Sequence, residues 1–186
     1  MIGCPKIDIS QIEDVISNIT MKLSEETFST LPNCSSTSIT SLKFTYVHQV
    51  ADKVPDLSKF INLTVVNFNQ SPNIKDFNNL SYVNSLQILT LAGCDLHGRM
   101  INFTKLTNLT SLDLSNNTLW TEDLENLKAL SNNKNLSLNL SYNSIIDASA
   151  LLVLDTSCKI DLGNNVNLTQ ESKDALKARF GSNVRF

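Results

Sequence analysis

Charged side chains are scarce in this sequence: Asp, Glu, Lys and Arg make up 18% of 186 residues, and the net charge is −3. Its fifteen Lys and Arg residues do not gather into a stripe, which argues against a nucleic-acid partner. No run approaches the roughly 18 to 20 apolar residues of a membrane span. The two histidines, His48 and His97, stand apart, and no Gly-rich phosphate loop, His-x-x-x-His or Gly-x-Ser-x-Gly occurs. Without converging acid, base or nucleophile groups the chain does not read as an enzyme, and no cofactor is implied. Cys4, Cys34, Cys94 and Cys158 contain no CxxC pair and no zinc-ligand spacing, so no metal site is expected. The first residues lack the apolar stretch of about 7 to 15 residues found in a secretory signal. Either the protein works inside the cell, or the chain is a mature or recloned fragment.

What fills the composition is Asn, Ser and Thr, residues that favour turns and exposed hydrogen bonding. They recur with a period. Leu109-Thr-Ser-Leu112-Asp-Leu114-Ser-Asn-Asn117-Thr-Leu119 matches L-x-x-L-x-L-x-x-N-x-L at every specified position. Leu86-Gln-Ile-Leu89-Thr-Leu91-Ala-Gly-Cys94-Asp-Leu96 repeats it with Cys in the Asn place. Looser copies hold Ile39, Leu42, Phe44 and Val47, and then Leu63, Val66, Phe68 and Ser71. Leu138, Leu140, Asn143 and Ile145 continue the series, followed by Ile160, Leu162 and Asn165. The central apolar residues fall at 44, 68, 91, 114, 140 and 162, with spacings of 24, 23, 23, 26 and 22.

Alternating L-x-L gives a short strand with one apolar face, and no single repeat can bury that face alone. Stacked repeats can, so the fold class is α/β: a leucine-rich-repeat solenoid, curved as a right-handed superhelix. Short parallel strands line its concave face; helical, 3₁₀ or irregular limbs form the convex one. Asn117, Asn143 and Asn165 are expected to form a ladder where the chain leaves each strand, and Val47 and Ser71 cannot complete it. Cys94 and Cys158 fall inside the pattern as packing residues.

About six repeats occupy residues 39–168. Leu124, Leu127 and Leu130 suit a helical turn on the return limb, whereas 74–80 and 145–151 look tighter and 3₁₀-like. Trp120 reads as a convex-side packing residue in preference to a ligand platform. Residues 169–186 read as a capping helix and tail, with Thr169 as N-cap, Leu176 and Phe180 over the last repeat, Gly181 as terminator and a final strand near Val184. Residues 1–38 are an N-terminal cap: either an amphipathic helix through Ile9, Ile12, Val15, Ile16 and Ile19, or a degenerate repeat beginning at Lys6. Cys4 and Cys34 there are a cap disulfide or two free thiols.

Asn108-Leu-Thr-Ser-Leu-Asp-Leu-Ser-Asn-Asn117 and Ile145-Ile-Asp147-Ala-Ser-Ala-Leu151 resemble the bacterial internalin-like leucine-rich-repeat proteins. The resemblance covers about residues 60 to 168. It implies secretion or cell-surface display and binding of host or cell-surface proteins through the concave face. Two departures stand out: the repeat length varies from 22 to 26 where that family holds close to 22, and Asn135 and Ser157 occupy first-leucine positions.

Strand residues between the core leucines point onto the concave face. The expected contact set is Lys43, Thr45, Tyr46, Asn67, Asn69, Gln87, Thr90, Asp113, Ser115, Asn139, Tyr142 and Asp161, with Tyr46 and Tyr142 as aromatic anchors. Six strands give a flat area of about 240 to 400 Å², below the roughly 800 Å² per partner of a standard interface. Binding must be weak, use flanking loops or target a small epitope. A protein or surface glycan ligand, bound by a monomer, is the expected partner. Eleven Asn-x-Ser/Thr sequons occur, a count inflated by the N-L-T and N-L-S of the repeat itself; a non-glycosylated bacterial origin is the simpler reading. The competing function is an intracellular regulatory or scaffolding solenoid.

Overall fold

The computed structural model describes residues 18–22, 39–45 and 52–186. Among these, eight short strands form one sheet in which each strand pairs, in parallel, with the next in sequence. They are β1 Asn18–Lys22, β2 Ser41–Thr45, β3 Val65–Asn67 and β4 Ile88–Thr90. β5 Ser111–Asp113, β6 Ser137–Asn139, β7 Lys159–Asp161 and β8 Val184–Arg185 follow. The register never slips: Leu42, Val66, Leu89, Leu112, Leu138, Ile160 and Val184 stand side by side. All seven are buried. A three-residue strand contributes only one such side chain, so its stability comes from the neighbouring repeats.

A second buried column runs through Phe44, Phe68, Leu91, Leu114, Leu140 and Leu162. Its N-terminal end is aromatic. Phe44 and Phe68 stack with centroids 4.2 Å apart, and Phe77 closes on Phe68 edge-on at 5.9 Å. The third column shows how the chain absorbs the change in repeat length. Ile39, Leu63, Leu86 and Leu109 fill the first-leucine position, but Leu136 and Cys158, one residue later than the consensus, replace Asn135 and Ser157 in the core. Asn135 takes up the extra residue in a left-handed conformation (φ 56°), and its amide donates to Ser157 Oγ at 2.8 Å.

The return limbs are 3₁₀ helices at Asn78–Tyr82, Thr121–Leu130 and Ser149–Val153. Leu124, Leu127 and Leu130 are buried in the longest. A spacing of three matches the three residues per turn of a 3₁₀ helix, which explains why this limb does not relax to an α-helix. Helix α1, Gln170–Phe180, lies against the limb Ser149–Val153. Thr169 Oγ1 accepts from the Ser172 amide at 3.2 Å, and Ser172 Oγ accepts from the Ala148 amide at 2.9 Å, so the start of α1 is tied to the last return limb. Leu176 and Phe180 are buried. Gly181, at φ 58°, turns the chain toward β8.

Of the two alternatives for the N-terminal cap, residues 18–22 are a strand, as a degenerate repeat requires, and Ile19 lies in that strand and not in a helix. Met21 pairs in register with Phe44, 23 residues on, so another repeat unit precedes the six. β-branched Ile19 and Thr20 suit a strand, and the neighbouring sheet edge decides a segment whose local pattern is ambiguous. The Cys4–Cys34 alternatives and the remainder of 1–38 lie outside the described residues.

Candidate functional site on the outward face of the sheet

The register places two rows of side chains on the face opposite the core. Ser41, Val65, Ile88, Ser111, Ser137 and Lys159 form one; Lys43, Asn67, Thr90, Asp113, Asn139, Asp161 and Arg185 form the other. Six residues of the expected contact set therefore stand in a single row. It is not a loose polar surface. Asn67 Oδ1 accepts from the Asn69 amide (2.9 Å), Asp113 Oδ1 from Ser115 (3.0 Å), Asn139 Oδ1 from Ser141 (3.1 Å) and Asp161 Oδ1 from Gly163 (2.9 Å). Each is an Asx turn that ends its strand two residues on. Ser115 and Ser141 also donate their hydroxyls to the same oxygens, both at 2.7 Å. In these four repeats one side-chain oxygen is thus spent on backbone, and the other oxygen or the amide nitrogen is left to face outward.

The remaining expected residues fall around these rows. Asn69 is half-buried, its Oδ1 accepting from the Ala92 amide at 3.0 Å. Gln87 is exposed but precedes β4, in an entry row with Thr64 and Thr110, where its carbonyl accepts from Thr110 at 2.8 Å. Thr45 ends β2, and Tyr46 lies outside the described residues. Tyr142 is 62% exposed at the exit of β6, with φ 57°. That left-handed backbone is shared by Gln70, Gly93, Asn116 and Asn164 at the same phase of their repeats. It lets the amides of Gln70, Gly93, Asn116 and Tyr142 donate to the next repeat, to Ala92, Ser115, Ser141 and Gly163 respectively.

Behind the exits runs the amide ladder. Asn117 Oδ1 accepts from the Cys94 amide (2.7 Å) while its Nδ2 donates to the Leu91 carbonyl (2.8 Å). Asn143 Oδ1 accepts from the amides of Asn117 and Leu119 at 2.9 and 3.0 Å. Asn165 Oδ1 accepts from Ile145 at 3.1 Å. Cys94 holds the same place with a thiol that donates to the Phe68 carbonyl at 3.1 Å. Burial pushes that thiol up to about 11, so it stays protonated and able to donate. Ser71, fully buried, has a hydroxyl with no partner among the described residues.

Sequence reasoning missed three features. Val65 and Ile88 face outward, giving the sheet a half-exposed apolar spot; strict alternation from Val66 and Leu89 would have found them. Arg185 extends the polar row by one strand, with Nε 3.7 Å from Asp161 Oδ1. The third lies on the flank. Trp120, 53% exposed, is not packed inward; it stacks on His97 with centroids 4.6 Å apart. Buried Asp123 holds the pair, accepting from His97 Nδ1 (2.8 Å) and from the amides of Trp120 (2.8 Å) and Gly98 (2.9 Å). His97 and Trp120 each follow their central leucine by six residues, a phase match visible in the sequence.

Among the described residues no three His, Cys, Asp or Glu side chains gather as a metal site, and no helix is long and apolar enough to cross a membrane.

Short parallel strands at near-constant spacing, an amide ladder at their exits and 3₁₀ return limbs make this chain a leucine-rich-repeat solenoid. Comparison with solved structures finds internalins and a mouse complex among those it resembles. Internalin C2 (inlC2) from Listeria monocytogenes superposes with a TM-score of 0.51 at 18% identity, over 91% of this chain and 78% of that one. That match carries the fold. An internalin (inlF) from the same organism is 27% identical over 67% of this chain, with a TM-score of 0.47. The mouse RP105/MD-1 complex gives 24% identity over 78% of this chain, with a TM-score of 0.48. This chain spans 34% of the matched inlF chain and 28% of the mouse chain. No family model matches it, and no curated protein matches it by sequence.

Proposed function

We propose that the chain is a non-catalytic binding module, secreted or displayed on a cell surface, that holds a protein partner on the outward face of its sheet. The observation that carries this reading is the continuous row from Lys43 to Arg185, in which hydrogen-bonded turns hold the side chains of Asn67, Asp113, Asn139 and Asp161 in register at their strand ends. Groups held in this way lose little rotamer freedom on binding, which favours recognition by a rigid surface. Eight strands span about 34 Å at roughly 4.8 Å each, and three to five residues per strand give about 340 to 580 Å². That is still under the roughly 800 Å² of a standard interface, so the exposed strand-exit loops, Tyr142 among them, are part of the surface. The internalin-like fold and the Asn- and Thr-rich surface support display outside the cell.

A photo-cross-linking residue placed at Thr90, mid-row, or at Val153, exposed on a return limb, tests the reading on intact cells. Capture is expected from position 90, competed by excess unlabelled chain, and not from position 153. Equal capture from both positions, or capture from 153 alone, would contradict it.

A further inference from the structure

We infer that the C-terminal end of this face is an anion pocket that takes the carboxylate of an acidic peptide segment. The inference rests on the sheet face being the binding surface and adds the chemistry of what part of it binds. A depression of about 390 Å³ opens there, lined by Ser137, Asn139, Lys159, Asp161, Asn183 and Arg185 among others. It is the place where the face gathers charge. The Lys159 ammonium makes no ion pair or hydrogen bond among the described residues and stands exposed beside Ser137.

Arg185 lies beside Asp161 at the same end of the face. Gly163 occupies the phase that Ser115 and Ser141 hold in earlier repeats, and the guanidinium lies at ordinary contact distance over it. A Cβ on Gly163 would stand 3.8 Å from an Arg185 terminal nitrogen and 3.1 Å from Asp161 Oδ1. Asp161 steadies the guanidinium at 3.7 Å, but its Oδ1 is shared with the Gly163 amide, and Arg185 keeps 75% of its side chain exposed. Two cations against one carboxylate leave the pocket with a net single positive charge. Ser137 and Asn139 add a hydroxyl and an amide able to donate to an oxyanion. A carboxylate, planar and able to meet the Arg185 guanidinium with both oxygens, suits that set of donors. The pocket is open to the neighbouring sheet face, so a chain carrying the carboxylate can continue across Ser111 and Thr90.

The test is an amide chemical-shift titration of the whole chain with blocked tetraglutamate, blocked tetraglutamine and sodium acetate. Tetraglutamate is expected to move the amides of Ser137, Lys159 and Arg185, with affinity falling as salt rises. Lys159→Gln and Arg185→Gln should each weaken it about three- to five-fold, the scale of an exposed charge pair. Asp161→Asn, which keeps an oxygen for the Gly163 amide, should tighten it by a similar factor. Equal shifts with tetraglutamine, or indifference to all three variants, would overturn the anion pocket. Acetate binding as tightly as tetraglutamate would overturn the peptide as its source. Shifts confined to Thr90 and Ser111 would sink the pocket while leaving the broader face reading intact, and the cross-linking test decides the latter independently.

Discussion

Three residues beyond each central core position, Cys94, Asn117, Asn143 and Asn165 solve one problem with different chemistry, and Ser71 holds the same phase without a side-chain bond among the described residues. Buried backbone at the strand exits needs both a donor and an acceptor, and a carboxamide carries them on two separate atoms that reach opposite neighbours at once. Asn117→Ala would strand the Cys94 amide and the Leu91 carbonyl, at a cost of roughly 2 to 4 kcal/mol in chemical denaturation. Ser71→Ala removes a hydroxyl that bonds to nothing described, so it should be neutral or stabilising by up to about 1 kcal/mol. A matching loss at both positions would contradict the ladder account. Tyr142 shows the opposite imbalance, a bulky side chain on a left-handed backbone that Gly and Asn adopt at less cost. Tyr142→Asn is expected to raise stability by about 0.5 to 1 kcal/mol, read as a higher Tm; a lower Tm would mean that the ring packs in the free protein. The Asn positions were legible because the repeat motif names them. The left-handed exits were not, since Gln, Gly, Asn and Tyr share no obvious sequence signature.

Elements in this molecule are held by partners one repeat away. The limb Thr121–Leu130 carries Asp123 in its first turn, and that carboxylate accepts from two backbone amides and from His97, 26 residues earlier. Asp123→Ala should destabilise the fold by roughly 2 to 4 kcal/mol, because a buried charge-assisted cluster loses its acceptor. It should also release the His97–Trp120 stack, visible as a change in Trp120 fluorescence. Unchanged stability and emission would show that the cluster is incidental. In the sequence, His97 looks isolated, as proximity there is lateral, between repeats, and a linear scan for motifs does not see it. The same holds for Leu136 and Cys158: the consensus marks 135 and 157, but the core selects the apolar neighbour and lets Asn135 bend to reach it.

For the whole molecule, a one-dimensional architecture explains why so much of the fold is readable: each repeat needs only its neighbours, so periodicity along the chain becomes a column in space. Periodicity fades at the first strand, where the pattern is degenerate and sheet pairing overrides a helical spacing. It says still less about function, because outward residues are freed from the core's demands and carry no period of their own. Six of the expected contact residues lie in the polar row, beside which Val65 and Ile88 face outward and which continues to Arg185. Thr90 stands mid-row with its backbone in β4 and its side chain turned from the core, so Thr90→Arg alters the face without touching the fold. Binding of the chain to cells bearing its partner, measured beside Tm, should fall at least about tenfold for Thr90→Arg, with Tm and the binding of a Val153→Arg control unchanged. Undiminished binding by Thr90→Arg, or an equal loss with Val153→Arg, would contradict the claim that this face is where the solenoid binds.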